Sequence, residues 1–301
     1  MSGIRGARLR RLFRNRAAVA ALGLVSVLIL LAAVAPPLAP YPFAKQHAES
    51  INTPPGERFS LGTDQLGRDI LSRLFYGARI SLVVGILSQV VVLAVGVPVA
   101  LAAGYFRGRV DGVLMQMVDV MLAIPDLLFV IVSTLLVRGL VEGSRWGVLK
   151  WLGELNQASG NVLLLLVVVG LTGWLPMARL LRGQILSLAQ QEFVQAAHSL
   201  GLGHARIMTH HLLPNVLDTI IVSVTLGIPR AIFLEAALSF LGLGVPPPLP
   251  SWGTMIAEGV QAMRFTPHVV LGPSIVLAVT MLAFNFLGDG LRDAFDPQAQ
   301  P

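Results

Sequence analysis

Two aspartates and a serine recur every seven residues inside an otherwise apolar stretch of the chain, residues 115–137. They are Asp119, Asp126 and Ser133, and because seven residues advance a helix by nearly two turns, the three side chains would share one stripe. An ionisable group in a lipid environment costs free energy unless it is paired or hydrated. We therefore expect the stripe to face a water-accessible translocation path or a partner subunit. Asp119 lies near the end of the stretch, so its side chain could instead simply extend to the membrane surface.

Two further charged residues, Arg230 and Glu235, lie in another apolar stretch, residues 216–243. As a straight helix this stretch would extend about 42 Å, which exceeds a hydrocarbon core of about 30 Å. Because Pro229 lies mid-way, the sequence predicts a helix broken at residues 227–229, as Pro125 predicts a kink in the first stretch. We expect Arg230 and Glu235 to compensate each other's charge in part, although five residues is an imperfect spacing on a straight helix. Both join the three stripe residues as candidates for lining the path.

Four of the six histidines of the chain cluster in one hydrophilic segment. His198, His204, His210 and His211 have spacings that could bind zinc, but the chain has no cysteine and only Glu192 offers a nearby carboxylate. Solvated loop histidines are the favoured interpretation, so the sequence predicts no metal site.

Motifs for bond chemistry are absent from the sequence. A nucleotide-binding P-loop requires a lysine after its glycines, and neither Lys45 nor Lys150 belongs to such a loop. The patterns H-E-x-x-H and G-x-S-x-G are also missing. The sequence therefore predicts no catalytic residue and no cofactor bound by this chain, and it disfavours a membrane-embedded hydrolase.

The composition defines the elements that must position these residues. Of 301 residues, 54% are hydrophobic and 13% are charged, against about 25% charged in soluble proteins. Apolar blocks of about 20 residues can cross a membrane, and a spanning segment must satisfy its backbone groups internally, which favours helices. The formal charge is +6, but the basic residues do not form a stripe interleaved with aromatic residues, as nucleic-acid binding would require. We predict an all-α integral membrane protein with six transmembrane helices at residues 17–35, 81–103, 115–137, 162–181, 216–243 and 269–287.

The distribution of basic residues predicts the orientation. Six of the 22 lysines and arginines fall in the first 16 residues, and basic segments stay in the cytoplasm, so both termini are expected to be cytoplasmic. The basic leader and Ala33-Val34-Ala35 also resemble a cleaved signal peptide. The length of the apolar stretch and the following Pro36 favour a retained anchor. The proline-rich residues 36–60 are expected to run extended over the outer surface.

Two segments between the spans are expected at the outer surface. Asp64, Arg68 and Asp69 precede an apolar flank, a pattern that predicts an amphipathic element at the membrane interface over residues 61–80. This element either fixes the outer rim against a partner or anchors the loop. Residues 244–263 are expected to form a short outer helix where a delivery protein docks.

Residues 182–215 are the most informative hydrophilic segment. Helix-favouring residues run to Leu200, and Gly201 is placed to end that helix in the left-handed conformation. A second short helix, residues 203–213, would be stopped by Pro214. Ala196 and Ala197 would make one face small enough for a partner backbone to approach. From the residues alone, an ordinary helical loop remains an equal alternative.

This segment resembles the EAA loop of ABC importer permeases, a coupling helix that docks on the cytoplasmic ATPase subunit. The similarity rests on alanines, glycine and a leucine–proline pair at the family's spacing, whereas Gln195 replaces the usual glutamate and His211 an isoleucine. Glu192, one turn earlier, could supply the missing charge. The resemblance assigns coupling to Glu192, Gln195, Ala196, Ala197, Gly201, Leu213 and Pro214.

Three other stretches are similar to dipeptide, oligopeptide and nickel importer permeases, in particular to the second permease of the pair. They are residues 61–82, 235–244 and 287–297. The resemblance implies a type I-like permease bundle in the cell inner membrane, importing small peptides or a cargo such as nickel. It implies as partners a second homologous permease, two ATPase subunits that hold ATP and magnesium, and a substrate-binding protein.

The sequence divides accordingly into four parts. Residues 1–60 hold the leader, the first span and the outer segment, and residues 61–80 form the interfacial element. Residues 81–288 form a five-helix core with the coupling loop at 182–215. Residues 289–301 form a cytoplasmic tail. A stand-alone secondary transporter or channel is the alternative function. It would need a coupling-ion site at mid-membrane and preferably an internal repeat, and the sequence offers only Asp126.

Overall fold

The computed structural model describes residues 11–141, 144 and 146–295. Helices make up 78% of the structure, and the described residues contain no β-strand, only an isolated bridge between Thr63 and Asp69. The predicted all-α fold is confirmed. Most of the basic leader and the last residues of the tail, including Asp296 and Pro297, lie outside the described residues.

The principal helices follow one another along the chain with short connections. They are α1 (Arg16–Ala33), α2 (Ile70–Phe106), α3 (Gly108–Leu122), α4 (Asp126–Val141), α5 (Gly147–Ala158), α6 (Val162–Leu188), α7 (Glu192–Ser199), α8 (His204–Ile207), α9 (Leu213–Phe240), α10 (Trp252–Val260) and α11 (Pro267–Phe295).

Five helical segments are long and apolar enough to cross a membrane, among the residues that the structure describes. They are α1, α2, α6, the continuous run His204–Phe240 that ends with α9, and α11. The pair α3 and α4 adds a sixth if its two helices, bent by 97°, count as one span. Five of the six predicted blocks therefore correspond to single candidate spans, and the block at residues 115–137 corresponds to the bent pair α3–α4.

Close helix packing forms the centre of the bundle, where α2 and α6 run against each other. A Cβ atom on Gly170 would lie 2.5 Å from Val91 Cβ and 2.8 Å from the Ser88 carbonyl oxygen. In lipid the hydrophobic effect does not drive helices together. Small residues such as glycine instead stabilise the helix pair because they let the two backbones come into van der Waals contact. The α2–α6 contact fixes the frame on which the other helices pack.

The predicted kink at Pro125 is a full break between two helices. α3 ends at Leu122 and α4 begins at Asp126, because proline removes a backbone donor and disfavours the helical conformation of Ile124. The single stripe predicted for Asp119, Asp126 and Ser133 was wrong, since a bend of 97° separates Asp119 from the other two.

The predicted break at residues 227–229 was also wrong, because α9 is one continuous helix with Pro229 inside it. A proline removes a single hydrogen bond from a helix, and neighbouring helices can hold the remainder in place. The irregular turn lies earlier, as a π-helical turn at Met208–Leu212. Pro214 does not stop a helix there either; it stands in the first turn of α9, where proline is tolerated.

The predicted interfacial element is not separate from the second span. α2 begins at Ile70, capped by the Asp69 carboxylate, which accepts a hydrogen bond of 2.8 Å from Ser72 N. Asp64, Arg68 and Asp69 are buried within the chain, and Glu258 of α10 pairs with Arg68. The short helix expected within residues 244–263 is confirmed as α10, which starts with a capping box between Ser251 and Thr254.

Candidate functional site: the elbow and the mid-bundle ion pairs

The segment from Glu192 to Leu212 forms a bend at one end of the bundle, which we call the elbow, and that end is the elbow side. Leu202 N donates to the Ala197 carbonyl oxygen at 3.2 Å and Gly201 N to the His198 carbonyl oxygen at 2.9 Å, while Gly201 has φ 75°. These bonds define a Schellman cap. The prediction that Gly201 ends the helix in the left-handed conformation is confirmed.

The two alanines of the elbow face opposite environments. Ala197 is 4% exposed and, with Val194, packs into the bundle, whereas Ala196, Gln195 and Glu192 are exposed. The expectation that both alanines form one small outer face was therefore wrong, since adjacent helical positions point about 100° apart. Only the Ala196 side is open to a partner. Leu213 and Pro214 lie beyond the π-helical turn, at the start of α9.

Tyr105 connects the elbow to the end of α2. Its Oη lies 3.1 Å from His198 Nε2 and 2.7 Å from His204 Nδ1, and its ring stacks on His198 with centroids 5.8 Å apart. A single hydroxyl can donate to one ring nitrogen while accepting from the other. Two of the four histidines thus have a structural partner that sequence spacing did not reveal, because Tyr105 lies 93 residues before His198.

Two ion pairs join helices near the break between α3 and α4. The Asp119 carboxylate pairs with Arg179 of α6, and the Asp126 carboxylate, at the start of α4, pairs with Arg230 of α9. A third pair, Arg182 with Asp111, lies nearer the elbow side. Each connects residues at least 60 positions apart in sequence.

The predicted pairing of Arg230 with Glu235 was wrong. Glu235 is fully buried and accepts hydrogen bonds from Ser239 Oγ at 2.7 Å and from Ser81 Oγ at 3.1 Å. Five residues correspond to about 140° around a helix, so the two side chains leave α9 in different directions. Glu235 therefore connects helices inside the bundle, and only Arg230 joins Asp126 near the break.

A cleft of about 240 Å³ opens beside Arg230, between α2, α6 and α9. Its walls are mostly apolar, and Gln89, Ser223 and Arg230 supply polar groups. Ser133, half-buried two turns along α4 from Asp126, does not line this cleft. The structure thus brings Asp126 and Arg230 together beside the cleft and leaves Asp119, Ser133 and Glu235 elsewhere.

At the opposite end of the bundle, which we call the far side, four charged residues form a buried network that sequence reasoning missed. Glu258 Oε2 on α10 accepts hydrogen bonds of 2.6 Å from both Arg68 Nη2 and Arg73 Nη1, and Asp64 Oδ2 accepts one of 2.7 Å from Arg68 Nε. Arg73 is only 2% exposed. A buried charge of this kind requires partners, and here α10 supplies one of them.

Comparison with known proteins places this sequence in a family. Residues 96–300 match the family described as binding-protein-dependent transport system inner membrane component. Residues 6–55 match the N-terminal TM domain of oligopeptide transport permease C.

Curated relatives extend the similarity over nearly the whole chain. The oligopeptide transport system permease protein of Bacillus subtilis is 38% identical over 94% of this chain and 86% of its own length. The dipeptide transport system permease protein of the same organism is 38% identical, covering 96% and 84%. The Escherichia coli oligopeptide permease is also 38% identical, covering 96% and 89%.

The chain therefore belongs to the family of binding-protein-dependent transport system inner membrane components, a class of multi-span membrane permeases. Within that class it is similar to oligopeptide and dipeptide permeases over most of its length. It is a permease subunit of the ABC importer class that its sequence motifs resemble, and the stand-alone transporter receives no support.

Proposed function

We propose that this chain imports small peptides as one of two permease subunits, paired with a second homologous permease and driven by two ATPase subunits. ATP and magnesium would be held by those ATPases, and this chain would bind no cofactor of its own. A substrate-binding protein would deliver cargo at the far side. The names of the relatives support a peptide cargo, and they favour it over nickel, the other cargo implied by the resemblance.

The observation that carries the proposal is the two-sided elbow. Its outer side exposes Glu192, Gln195 and Ala196, where an ATPase surface can dock, while Val194 and Ala197 are held in the bundle. Tyr105 ties the elbow to α2, and α8 leads through the π-helical turn into α9. Movement of a docked ATPase would therefore shift two long helices as a rigid body.

Cysteine crosslinking tests the docking, because the sequence contains no cysteine. In membranes that hold all subunits, we expect Ala196→Cys to form a crosslink to the ATPase subunit. Ala197→Cys is the matched control, one residue away and buried, and it should give no adduct. Equal yields at both positions, or none from Ala196, would contradict docking at the elbow.

We place the elbow side in the cytoplasm, on the strength of the basic leader that precedes α1. Ala196→Cys and Glu57→Cys test this, since both positions are exposed and lie at opposite ends of the bundle. A membrane-impermeant thiol reagent applied to intact cells should label Glu57→Cys alone, and inverted vesicles should reverse the result. The opposite labelling pattern would show that the elbow side lies outside the cytoplasm.

The side of the bundle that carries Asp126 and Arg230 is the proposed face toward the translocation path and the second permease. In this subunit the two side chains are 49% and 33% exposed, and residues 123–128 around the break are exposed as well. Lipid cannot satisfy charges or non-helical backbone at membrane depth, which occur only within protein or beside water.

Tagged chain that purifies without ATPase subunits and still transports alone would overturn the whole assignment.

A further inference from the structure

The Arg230 cleft combines three chemical features that suit one class of ligand. Arg230 contributes a cation to the wall, and Asp126, which does not line the cleft, pairs with that cation. Gln89 contributes an amide to the wall although the residue is only 5% exposed. The remaining wall is largely aliphatic, from side chains such as Val92, Met177 and Leu226.

The polar groups of the cleft retain unused bonding capacity. A guanidinium has five N–H donors, and the bond of Arg230 to Asp126 uses Nη2, so Nε and Nη1 stay available among the described contacts. Gln89 Nε2 donates to Ser88 Oγ at 3.3 Å and to the Gly85 carbonyl oxygen at 3.4 Å. No residue in the described ranges donates to Gln89 Oε1, which lies against Gly227.

We propose that this cleft holds the C-terminal end of a peptide in transit, with the peptide carboxylate at Arg230 and a backbone N–H at Gln89 Oε1. The proposal rests on the peptide importer function above and names where this subunit contacts cargo. Asp126 balances the charge of Arg230 while the cleft is empty. The Arg230 donors that this pair leaves unused are available to the peptide carboxylate.

A metal-cation cargo fits the cleft poorly. A bare divalent cation needs several anionic or imidazole ligands, whereas none of the described residues that line the cleft is a carboxylate or a histidine. Within the described residues no group of three histidine, cysteine, aspartate or glutamate side chains could hold a metal ion. The cleft chemistry favours the carboxylate end and backbone of a peptide.

The test compares three probes in proteoliposomes that contain the complete importer: tri-alanine, N-acetyl-tri-alanine and tri-alanine amide. All variants use the same binding protein, so its own selectivity cancels when each variant is compared with wild type. We expect Arg230→Gln to lower uptake of tri-alanine and of N-acetyl-tri-alanine, which both keep the carboxylate, about tenfold or more, the effect of losing a charge-assisted hydrogen bond. Uptake of the amide, which has no carboxylate, should fall much less. Asp126→Asn removes the partner of Arg230 and should show the same selectivity.

Arg179→Gln is the matched control, because Arg179 also pairs with an exposed aspartate but does not line the cleft. It should change uptake of all three peptides by one common factor. If Arg230→Gln and Asp126→Asn also act by a common factor, the pair is structural and the cleft assignment is wrong. Failure of the proposed importer function would be distinguishable from this outcome, because the wild-type protein would then show no ATP-dependent uptake.

A second measurement covers the case in which those variants do not assemble. Ser223→Cys lines the cleft and should react with a small water-soluble thiol reagent in the assembled complex, with the rate lowered at least several-fold by tri-alanine. Ser26→Cys, exposed on α1, is the control that tri-alanine should not protect. No reaction at Ser223→Cys, or a rate that tri-alanine leaves unchanged, would overturn the proposal.

Discussion

Tyr105 Oη lies 2.7 Å from Nδ1 of His204, so the last turn of α2 is hydrogen-bonded to the short helix that follows Gly201. This contact spans 99 residues of sequence and connects the longest helix of the bundle to the proposed docking element. A docking element transmits movement only if it is attached to the helices that must move. The hydroxyl of Tyr105 supplies a directional part of that attachment.

Tyr105→Phe is expected to reduce coupling while leaving the complex assembled. The ring still contacts His198 and Phe106, but both hydrogen bonds to the histidines are lost. We expect fewer peptides imported per ATP hydrolysed, measured in proteoliposomes as the ratio of the two rates. Tyr76→Phe makes the same chemical change near the far side and should leave the ratio unchanged; an unchanged ratio in Tyr105→Phe would remove the proposed role.

Gly201 is expected to be sensitive to any side chain because of its backbone conformation. At φ 75° an alanine is strained by about 1 kcal/mol, although a Cβ there meets no atom within 4 Å. We predict that Gly201→Ala lowers uptake several-fold and that Gly201→Asn is milder, since asparagine tolerates this conformation. Gly203→Ala is the control, with φ −67° and open space around its Cβ; a loss there equal to that of Gly201→Ala would refute the backbone explanation.

Glu258 is expected to be a major contributor to stability at the far side. Glu258→Gln leaves the buried Arg68 and Arg73 with Asp64 as their remaining carboxylate in the network. Because Glu258 itself is 32% exposed, we expect the loss to cost about 1–3 kcal/mol. Thermal unfolding of the purified protein in detergent should show a clearly lower Tm.

The exposed pair of Glu49 and Arg58 provides the comparison for Glu258. Its bond is 3.0 Å long, and the pKa of Glu49 is lowered first by a backbone hydrogen bond and then by Arg58. Because Glu49 is solvent-exposed, Glu49→Gln should leave Tm unchanged. Equal Tm values for the two variants would show that the buried network stabilises no more than a surface pair.

Gly170→Ala is expected to disrupt the packing of α2 against α6. Its Cβ would approach Val91 Cβ to 2.5 Å, and overpacking of this kind costs about 1–3 kcal/mol. The variant should unfold at a lower temperature. Gly183 lies on the same helix with no atom within 4 Å of an added Cβ, so Gly183→Ala should be neutral or slightly stabilising, and destabilisation of both would point to a general effect of α6.

Local chemistry allowed several features to be predicted from sequence. The six apolar blocks, the Gly201 cap and the α10 helix depend on hydropathy or on one residue's backbone preference, and each was found. The partners of Asp126, Arg230 and Glu235 could not be derived in this way. Arg230 pairs with a residue 104 positions earlier, and only the packing of α4 against α9 decides that choice over a neighbour five residues away.

The two prolines show the same limit for helix geometry. Pro125 and Pro229 each remove a backbone hydrogen-bond donor. The helix nevertheless ends before Pro125 and continues through Pro229. Gly227 allows Gln89 to approach that part of α9 closely, and α2, α6 and α11 surround the helix. Tertiary packing therefore determines whether a helix continues through a proline or ends before it.

The long separation between Asp126 and Arg230 has a consequence for biogenesis. During synthesis Asp126 leaves the ribosome 104 residues before its counter-ion, so its charge must stay hydrated or sheltered by the insertion machinery until α9 arrives. The ion pair at the 97° bend between α3 and α4 can therefore form only after α9 has been made.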